Sequence, residues 1–289
     1  MAHLFIFGYG YVASHLAEVL STRGWHMTVT SRSPETVKKT HSNIKVIDFY
    51  DEKLVKEEIL KASHLLSSIP PLKTGGEPVQ QAYGSWLSEG DLPKRRWTGY
   101  LSSTHVYGDR QGAWVDETAP LDPHNAMIKD RYEAEIFWQS LPHPAIHIFR
   151  LSAIYGPGRS MIDRLKRGGY RPISREGLVF SWIHLWDILR FLMASMEKVE
   201  GPPLYNLCDD EPSSSDTVCR FAGELVGIDP PLPLPYESLA KDDPRQKFYG
   251  SHKKVRNTLI KKDLGMEMLY PSFREGLLAI LQGENPFKE

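Results

Sequence analysis

Short hydrophobic runs alternate with longer amphipathic segments through the first half of the chain. The runs predict buried strands because they are short and rich in apolar and β-branched residues: HLFIF (3–7), HMTVTS (26–31), NIKVIDF (43–49), HLLSSI (64–69), WTGYLSS (97–103) and AIHIFRL (145–151). The intervening segments predict helices: YVASHLAEVLSTRG (11–24), PETVKK (34–39), DEKLVKEEILK (51–61), EPVQQAYGSWLSEG (77–90) and a stretch near 125–140. This β–α rhythm predicts an α/β fold with a doubly wound parallel sheet of the Rossmann type.

The second half of the chain follows a looser pattern. After Tyr155 the sequence is rich in Gly, Pro and basic residues, before WIHLWDILRFLMASM (182–196) indicates a helix and PLYNLC (203–208) a strand. Mainly helical patterns follow. We therefore predict a Rossmann domain of residues 1–155, to which 181–208 returns, and a smaller, mainly helical substrate domain of 156–180 and 209–289.

The first strand runs directly into a G-x-G-x-x-A pattern formed by Gly8, Gly10 and Ala13. In such a turn the first glycine permits the tight bend, the second lets a pyrophosphate approach, and the small third residue lets helix and strand pack closely. The predicted cofactor site also includes Tyr11 and Val12, in the first turn of the helix. The alternative is a simple tight turn without a ligand.

The end of the second predicted strand bears on the choice between NAD and NADP. An acidic residue at this point binds the ribose 2′-hydroxyl of NAD, but Ser31, Arg32 and Ser33 stand here instead. A guanidinium can bind a 2′-phosphate, so we predict NADP, with NAD less favoured. A solvated surface arginine is the alternative. Asp48, after the third strand, suits a contact with the adenine edge or an ordinary loop position.

Composition and charge restrict the kinds of partner that the protein is expected to bind. The 289 residues are 41% hydrophobic and 25% charged, with a net charge of −1, so no overall field attracts nucleic acid or an anionic membrane. Cys208 and Cys219 suit neither a redox pair nor a zinc site, and we expect no metal. No apolar stretch is long enough to span a bilayer, and no secretion signal is evident. These observations predict a cytoplasmic protein with a small-molecule partner.

Four further segments follow the glycine turn: YLSSTHVYGD (100–109), DETAPLDP (116–123), FRLSAIYGPGR (149–159) and PLYNLCDDEPSS (203–214). Together they resemble the extended short-chain dehydrogenase/reductases, specifically the NAD-dependent epimerase/dehydratase branch. The resemblance covers most of the chain in the right order. It implies a Rossmann domain, a smaller substrate domain, an active site in the cleft between them, and members that often pair as homodimers.

The resemblance also implies roles for particular positions. The residue that bonds the substrate oxygen corresponds to Ser103, with Thr104 next in line. The family's Y-x-x-x-K pair falls on Met127 and Arg131, and Glu135 keeps the register of the helix. Methionine has no proton to transfer. Arg131 could still bind the ribose of the nicotinamide, but its charge has no tyrosine phenol at position 127 to tune.

Other residues could replace the missing proton donor. His124 lies one helical turn before Met127 and titrates in a useful range, although an exposed histidine in the turn before the helix is the alternative. His105 and Tyr107 are further candidates. His184 suits packing at the domain junction or a bond to the Asp187 side chain on the next turn.

The segment after YGPG carries a local excess of positive charge. Arg159 and Arg164 head a run that continues with Lys166, Arg167, Arg171 and Arg175. Arginine side chains suit phosphate or carboxylate, so we predict an anionic, sugar- or nucleotide-like substrate here, with a solvated basic face as the alternative. The leading interpretation is an NADP-binding oxidoreductase, epimerase or dehydratase. The alternatives are a non-catalytic NADP-binding sensor or regulatory protein and a structural protein with a vestigial turn.

Overall fold

A seven-stranded sheet forms the centre of the computed structural model, which describes residues 2–37, 43–72, 74–90, 96–121, 126–143, 145–198 and 203–288. Its strand order is β11-β7-β5-β4-β1-β2-β3, where the strands are β1 His3–Phe7, β2 His26–Ser31, β3 Ile44–Asp48, β4 His64–Ser67, β5 Trp97–Ser103, β7 Ile146–Leu151 and β11 Leu204–Leu207. β1 pairs in parallel with β2 and β4, β2 with β3, and β4 with β5. The predicted α/β fold with a parallel sheet is confirmed.

Ten helices lie in the described part of the chain: α1 Tyr11–Thr22, α2 Glu52–Lys61, α3 Pro78–Glu89, α4 Ala126–Ser140, α5 Met161–Arg167, α6 Leu185–Met196, α7 Ser215–Val226, α8 Pro244–Tyr249, α9 Thr258–Leu264 and α10 Phe273–Gln282. Six short strands complete the structure: β6 Trp114–Val115, β8 Ala153–Tyr155, β9 Ile173–Ser174, β10 Trp182–His184, β12 Leu234–Pro235 and β13 Lys254–Val255. No helix among the described residues combines the length and apolar character needed to cross a membrane.

The chain divides into two compact units. The first comprises Met1–Ser103, Pro123–Arg150 and Leu189–Tyr205, and the second comprises Thr104–Asp122, Leu151–Ile188 and Asn206–Glu289. Residues 104–122, 151–155, 181–188 and 206–208, which the sequence assigns to the Rossmann domain, group with the second unit.

Alternation along the central strands explains the core of the first unit. Phe5 and Phe7 of β1 point to one face and pack with apolar residues of α2, α3 and α4, including Val55, Tyr83 and Trp138. Their neighbours Leu4 and Ile6 point to the other face and are also fully buried. A strand buried on both faces is apolar at every position, which is why β1 is legible in the sequence.

The second unit is built from helices and three two-stranded parallel pairs, β8 with β10, β9 with β12 and β6 with β13. One of its hydrophobic clusters joins Tyr155 to apolar residues of α5, α7 and α10, such as Leu165, Val218 and Phe273. Side-chain hydroxyls fix where these helices begin. The side chains of Ser160 and Ser272 accept backbone N–H groups at the starts of α5 and α10 and complete capping boxes with Asp163 and Glu275.

Two sequence-based helices differ from the structure. In PETVKK only a three-residue 3-10 helix, Pro34–Thr36, lies among the described residues. In WIHLWDILRFLMASM the first three residues form β10, which pairs with β8, and the helix begins at Leu185. The prediction of a helix for residues 182–184 was wrong. A segment of three residues is too short to show a hydrophobic period, and its pairing with a distant strand decides its conformation.

Candidate functional site

The turn between β1 and α1 requires glycine at its first position. Gly8 has φ = 92°, and a Cβ at this position would lie 2.9 Å from the Ile69 and Ser68 side chains. The backbone N–H of Gly8 donates to Thr30 Oγ1 at 2.9 Å. The tight bend therefore depends on glycine for both its backbone conformation and its lack of a side chain.

The second glycine of the turn has a different environment. Gly10 precedes the first helical residue of α1 with φ = −82°, and no described atom would lie within 4 Å of a Cβ added there. Packing within the chain therefore does not require glycine at this position. The small residue Ala13 is fully buried, as expected for close packing of α1 on the sheet. The backbone N–H groups at a helix N-terminus suit a phosphate, and the space beside Gly10 leaves room for one.

The predicted adenosine side of the site is an edge where β2 and β3 end together. Ser31 and Asp48 are partners in the parallel register. Arg32 and Ser33 follow on the surface, and the Ser31 hydroxyl accepts the N–H of Ser33 at 3.1 Å. Asp48 Oδ1 accepts the N–H of Tyr50 at 2.9 Å. The structure thus places Ser31, Arg32, Ser33 and Asp48 at one edge, and part of the Asp48 carboxylate already stabilises a turn.

The two predicted substrate contacts lie where β5 ends. Ser103 is the last residue of β5 and is partly buried. Thr104 starts a 3-10 helix, Thr104–Tyr107, and its hydroxyl lies 3.4 Å from the carbonyl oxygen of Leu151. The abrupt change from strand to 3-10 helix sets the direction of the chain after Ser103.

Helix α4 carries the positions of the missing Y-x-x-x-K pair. Met127 belongs to α4, but its side chain lies outside the described part of the structure, as does His124 altogether. Arg131 is partly buried. Burial raises the pKa of the nearby Tyr100 phenol well above its usual range, and the Arg131 charge opposes that shift. The phenol that the Arg131 charge influences is therefore that of Tyr100, a fully buried tyrosine on β5.

Glu135 on the same helix has a clear structural role. Its carboxylate forms a two-pronged ion pair with Arg150, with Arg150 Nη2 at 2.7 Å from Glu135 Oε2, and it accepts the hydroxyl of Ser102. All three residues are buried. A charge removed from water needs such a partner, and the pair links α4 to β5 and β7.

The alternative acid candidates lie in enclosed surroundings. The Tyr107 hydroxyl donates to Asn206 Oδ1 at 2.7 Å, and Tyr107 is almost fully buried. Burial lowers the pKa of His184 to about 3, and His184 Nδ1 accepts the N–H of Trp186 at 3.2 Å. The Asp187 carboxylate accepts the N–H groups of Leu269 and Tyr270 at 2.8 and 2.9 Å. His105 is partly buried in the 3-10 helix.

The basic segment divides into arginines with different surroundings. Arg159 and Arg164 are exposed around the start of α5, and the Arg164 guanidinium lies over the Tyr170 ring at 5.2 Å from its centroid. Arg175 lies 5.0 Å from the Tyr236 ring centroid and lines a groove of about 630 Å³. That groove also contains the carboxylates of Glu176, Asp216 and Glu237, which do not favour an anion.

Two buried or partly buried titratable residues carry no sequence signal. Burial raises the pKa of Glu77, at the start of α3, to about 7, and burial lowers the pKa of Lys253 to about 8. Their environments come from segments distant in sequence, so residue type alone could not single them out. Among the described residues no cluster of three or more His, Cys, Asp or Glu is placed to hold a metal.

Two relatives match nearly the whole chain. A protein of unknown function from Silicibacter pomeroyi has a structure that is 39% identical, covers 98% of this chain and 99% of its own, and has a TM-score of 0.89. Protein YeeZ of Escherichia coli K12 is 27% identical over 286 residues, which are 94% of this chain and 97% of YeeZ. No family model matches the chain.

More distant structures share the fold. The dTDP-glucose 4,6-dehydratase of Bacillus anthracis, solved with NAD, is 14% identical, with a TM-score of 0.73 over 99% of this chain and 98% of its own. The UDP-glucose 4-epimerase of Thermotoga maritima, solved with UDP-glucose, is 17% identical, with a TM-score of 0.73 over 97% and 99%. The chain therefore has the fold of nicotinamide-dependent epimerases and dehydratases.

Proposed function

Since the chain belongs to the same family as the Silicibacter pomeroyi protein and has the extended short-chain dehydrogenase/reductase fold, we propose that it binds NADP at the turn between β1 and α1. We further propose that it is an oxidoreductase, epimerase or dehydratase acting on a small anionic substrate of the nucleotide-sugar kind. When bound, the cofactor would supply the acceptor for a hydride.

The contrast between Gly8 and Gly10 carries this proposal. Gly8 is required by the turn itself, whereas the space beside Gly10 is open and faces the N-terminus of a twelve-residue helix. A pyrophosphate would use that space, because its oxygens can approach the backbone N–H groups only if no side chain intervenes. A simple structural turn would require the first glycine and not the second.

Arg32 supports NADP over NAD. It is exposed at the end of β2, no carboxylate stands beside it in the sequence SRS, and Ser31 and Ser33 flank it. A guanidinium pairs with a 2′-phosphate by charge-assisted hydrogen bonds, which NAD cannot make. Distant structural neighbours such as the Bacillus anthracis dehydratase were solved with NAD, so the NADP preference is a specific property proposed for this chain.

Calorimetric titration of the protein with NADP and NAD tests the proposal. We expect NADP to bind roughly ten- to a hundredfold more tightly, because a charge-assisted bond contributes about 1.5 to 3 kcal/mol. Arg32→Ala should remove the difference between the two affinities, because it weakens the binding of NADP and not that of NAD. Arg23→Ala, which removes another exposed arginine of the first unit, serves as the control. Equal affinities in the unmodified protein would refute the NADP preference, and binding of neither would refute the cofactor site.

The anionic substrate rests on two supports. Structures of the same fold contain UDP-glucose, and Arg159 and Arg164 form an exposed pair around the start of α5, directly after the YGPG segment. We propose these two arginines as substrate ligands, and Ser103 and Thr104 as contacts to the reacting oxygen. Arg131 is proposed to bind the ribose of the nicotinamide.

A non-catalytic NADP sensor is the second candidate. It is favoured by one observation, that Met127 replaces the tyrosine which transfers the proton in the family resembled. The two candidates differ in one measurable property. An enzyme reduces its bound NADP when supplied with substrate, whereas a sensor binds NADP and changes conformation without reducing it.

A further inference from the structure

The peptide bond between Phe7 and Gly8 opens the glycine turn of the first unit and is held from both sides. Its N–H, which belongs to Gly8, donates to Thr30 Oγ1 on β2 at 2.9 Å. Its carbonyl, which belongs to Phe7, accepts the N–H and the hydroxyl of Ser68, each at 3.0 Å. Ser68 directly follows β4, and β2 and β4 are the strands on either side of β1. Two hydroxyl side chains from neighbouring strands therefore fix the plane of one peptide.

The Thr30 hydroxyl acts where the backbone pairing of β1 with β2 stops. The parallel register of these strands ends with Ile6 opposite Val29, and the chain then bends at Gly8, where φ = 92°. A backbone N–H left without a partner in the bend would cost free energy, and the Thr30 hydroxyl supplies the acceptor. Thr30 itself is fully buried. Its side chain therefore acts on a bound cofactor only through the turn that it holds.

Thr30 also connects the two ends of the proposed cofactor site. The residues that follow it are Ser31 and Arg32, which belong to the edge proposed for the 2′-phosphate. The N–H that its hydroxyl accepts belongs to the turn proposed for the pyrophosphate. This bond fixes the end of β2 relative to the turn, and all the residues concerned lie in the first unit. A turn already held in its binding geometry does not have to be ordered when a ligand arrives.

We propose that Thr30 is a positioning residue of the cofactor site, whose hydroxyl holds the Phe7–Gly8 peptide in the orientation that presents the turn to the pyrophosphate. Ser68 is its counterpart on the β4 side. The inference rests on the proposed function, because it concerns the same cofactor site. NADP and NAD share the pyrophosphate, so loss of the Thr30 hydroxyl should weaken the binding of both. Removal of Arg32, in contrast, should weaken the binding of NADP alone.

Calorimetric titration of the full-length protein with NADP and with NAD tests the role of Thr30. Thr30→Val replaces the hydroxyl by a methyl group, and Thr30→Ser keeps the hydroxyl. Thr28→Val is the matched control, because Thr28 lies two residues earlier on β2 and is also buried. The Thr28 hydroxyl bonds to the side chains of His3 and Glu58, at 2.9 and 3.2 Å, and not to the turn. Ser68→Ala removes the hydroxyl on the other side of the peptide.

We expect Thr30→Val to weaken the binding of NADP and of NAD by the same factor, about three- to tenfold, because the turn must then be ordered when the cofactor binds. Thr30→Ser should bind both cofactors as the unmodified protein does. Both valine variants should unfold at a lower temperature, but Thr28→Val should keep both affinities when titrated below its melting transition. Ser68→Ala should weaken both cofactors less than Thr30→Val does, since the N–H of Ser68 still bonds to the Phe7 carbonyl.

A Thr30→Val protein that binds both cofactors with unchanged affinity would overturn the role of Thr30 and leave the cofactor site standing. An equal loss of affinity in Thr28→Val would also overturn it, because the effect would then follow from destabilisation of β2. So would a Thr30→Ser protein that binds as weakly as Thr30→Val. If Thr30→Val does not fold, unchanged affinities in Ser68→Ala would overturn the proposal. If the unmodified protein binds neither cofactor, the cofactor site and the role of Thr30 fail together.

Discussion

Two buried glutamates of the first unit illustrate how position decides the chemistry of one residue type. Glu135 forms an internal ion pair with Arg150. Glu77 is equally buried, and its Oε2 accepts the backbone N–H of Gln80 at the start of α3, while Trp138 and the Val79 N–H also favour its charged form. Its Oε1 makes no hydrogen bond within the described part of the chain. Burial without a cation favours the neutral acid.

Glu77 should therefore make stability depend on pH near neutrality. Burial raises the pKa of Glu77 from 4.5 to about 7, against the hydrogen bond from Gln80. The folded state binds the Glu77 proton more tightly than the unfolded state does. The protonated carboxyl therefore contributes fully to the free energy of unfolding below pH 4.5, and this contribution is lost as pH rises towards 7. Glu77→Gln should remove this loss, which is on the order of 3 kcal/mol. Urea unfolding at several pH values measures it.

An exposed glutamate on the same helix provides the comparison for Glu77. Glu89 is the last residue of α3 and lies at the surface. Glu89→Gln should leave the pH profile of the free energy of unfolding unchanged. If Glu77→Gln also leaves that profile unchanged, Glu77 is ionised in the folded protein at neutral pH and the argument from burial is wrong.

At the scale of elements, the two glycines of the turn between β1 and α1 are expected to have different roles, Gly8 in folding and Gly10 in cofactor binding. Gly8→Ala should lower stability by about 1 to 3 kcal/mol, because alanine is strained at φ = 92° and its Cβ would lie 2.9 Å from Ile69 and Ser68. Gly10→Ala meets no described atom within 4 Å, so it should leave the melting temperature unchanged. Gly10→Ala should still weaken the binding of NADP, because the added methyl group occupies the space proposed for the pyrophosphate.

The two glycine variants are measured by thermal unfolding and by NADP titration. A Gly10→Ala protein that binds NADP as tightly as the unmodified protein would contradict the proposed location of the pyrophosphate. A Gly8→Ala protein of unchanged stability would contradict the steric account of the turn. Because one variant is expected to affect folding and the other binding, the pair distinguishes loss of the site from loss of the fold.

The long strands could be predicted from the sequence, and the short ones could not. The runs HLFIF, HMTVTS and WTGYLSS correspond to β1, β2 and β5 residue for residue, because each is a short run rich in apolar, aromatic or β-branched residues, which favour strands. The two-residue strands such as β6 and β13 have no period that a sequence pattern could show. Their pairing depends on contacts between distant segments.

The same division applies to the candidate site. The glycine turn and Arg32 could be predicted because their chemistry follows from residue type at a fixed distance from a strand. The lowered pKa of Lys253 could not, since it depends on burial and on the charges of Asp109 and Arg110, which lie more than a hundred residues earlier. Glu77 likewise becomes unusual only through burial, which a single sequence does not reveal.

At the scale of the whole molecule, each compact unit contains a buried histidine whose pKa burial lowers strongly. His64 lies on β4 in the first unit, where its ring packs 4.8 Å from that of Trp25. His184 lies on β10 in the second unit, between the rings of Tyr155 and Tyr270 at 5.0 and 4.1 Å. Burial lowers the pKa of His64 to about 4 and that of His184 to about 3. Both rings are therefore neutral in the folded protein over most of the acid range.

The sign of their effect is opposite to that of Glu77. A histidine whose folded pKa is depressed stabilises the fold above its unfolded pKa of 6.5, and this contribution is lost as pH falls towards the folded pKa. The loss amounts to roughly 3 kcal/mol for His64 and roughly 5 kcal/mol for His184. Between pH 4.5 and 6.5 the opposing change at Glu77 offsets part of it. Below pH 4.5 that compensation ends, and the fold should lose stability steeply.

His64→Gln and His184→Asn test the acid response of the two units separately. Each substitution also removes packing, so each variant should be less stable than the unmodified protein at pH 7. The difference in free energy of unfolding between each variant and the unmodified protein should become smaller as pH falls from 6.5. It should do so down to about pH 4 for His64→Gln and to lower pH for His184→Asn. The reason is that only the unmodified protein must keep a proton off the buried ring. Urea unfolding across this range measures the difference, and His26→Gln, at an exposed histidine of β2, should show no narrowing. A constant difference at every pH would mean that the buried rings are protonated as readily in the folded protein as in the unfolded chain.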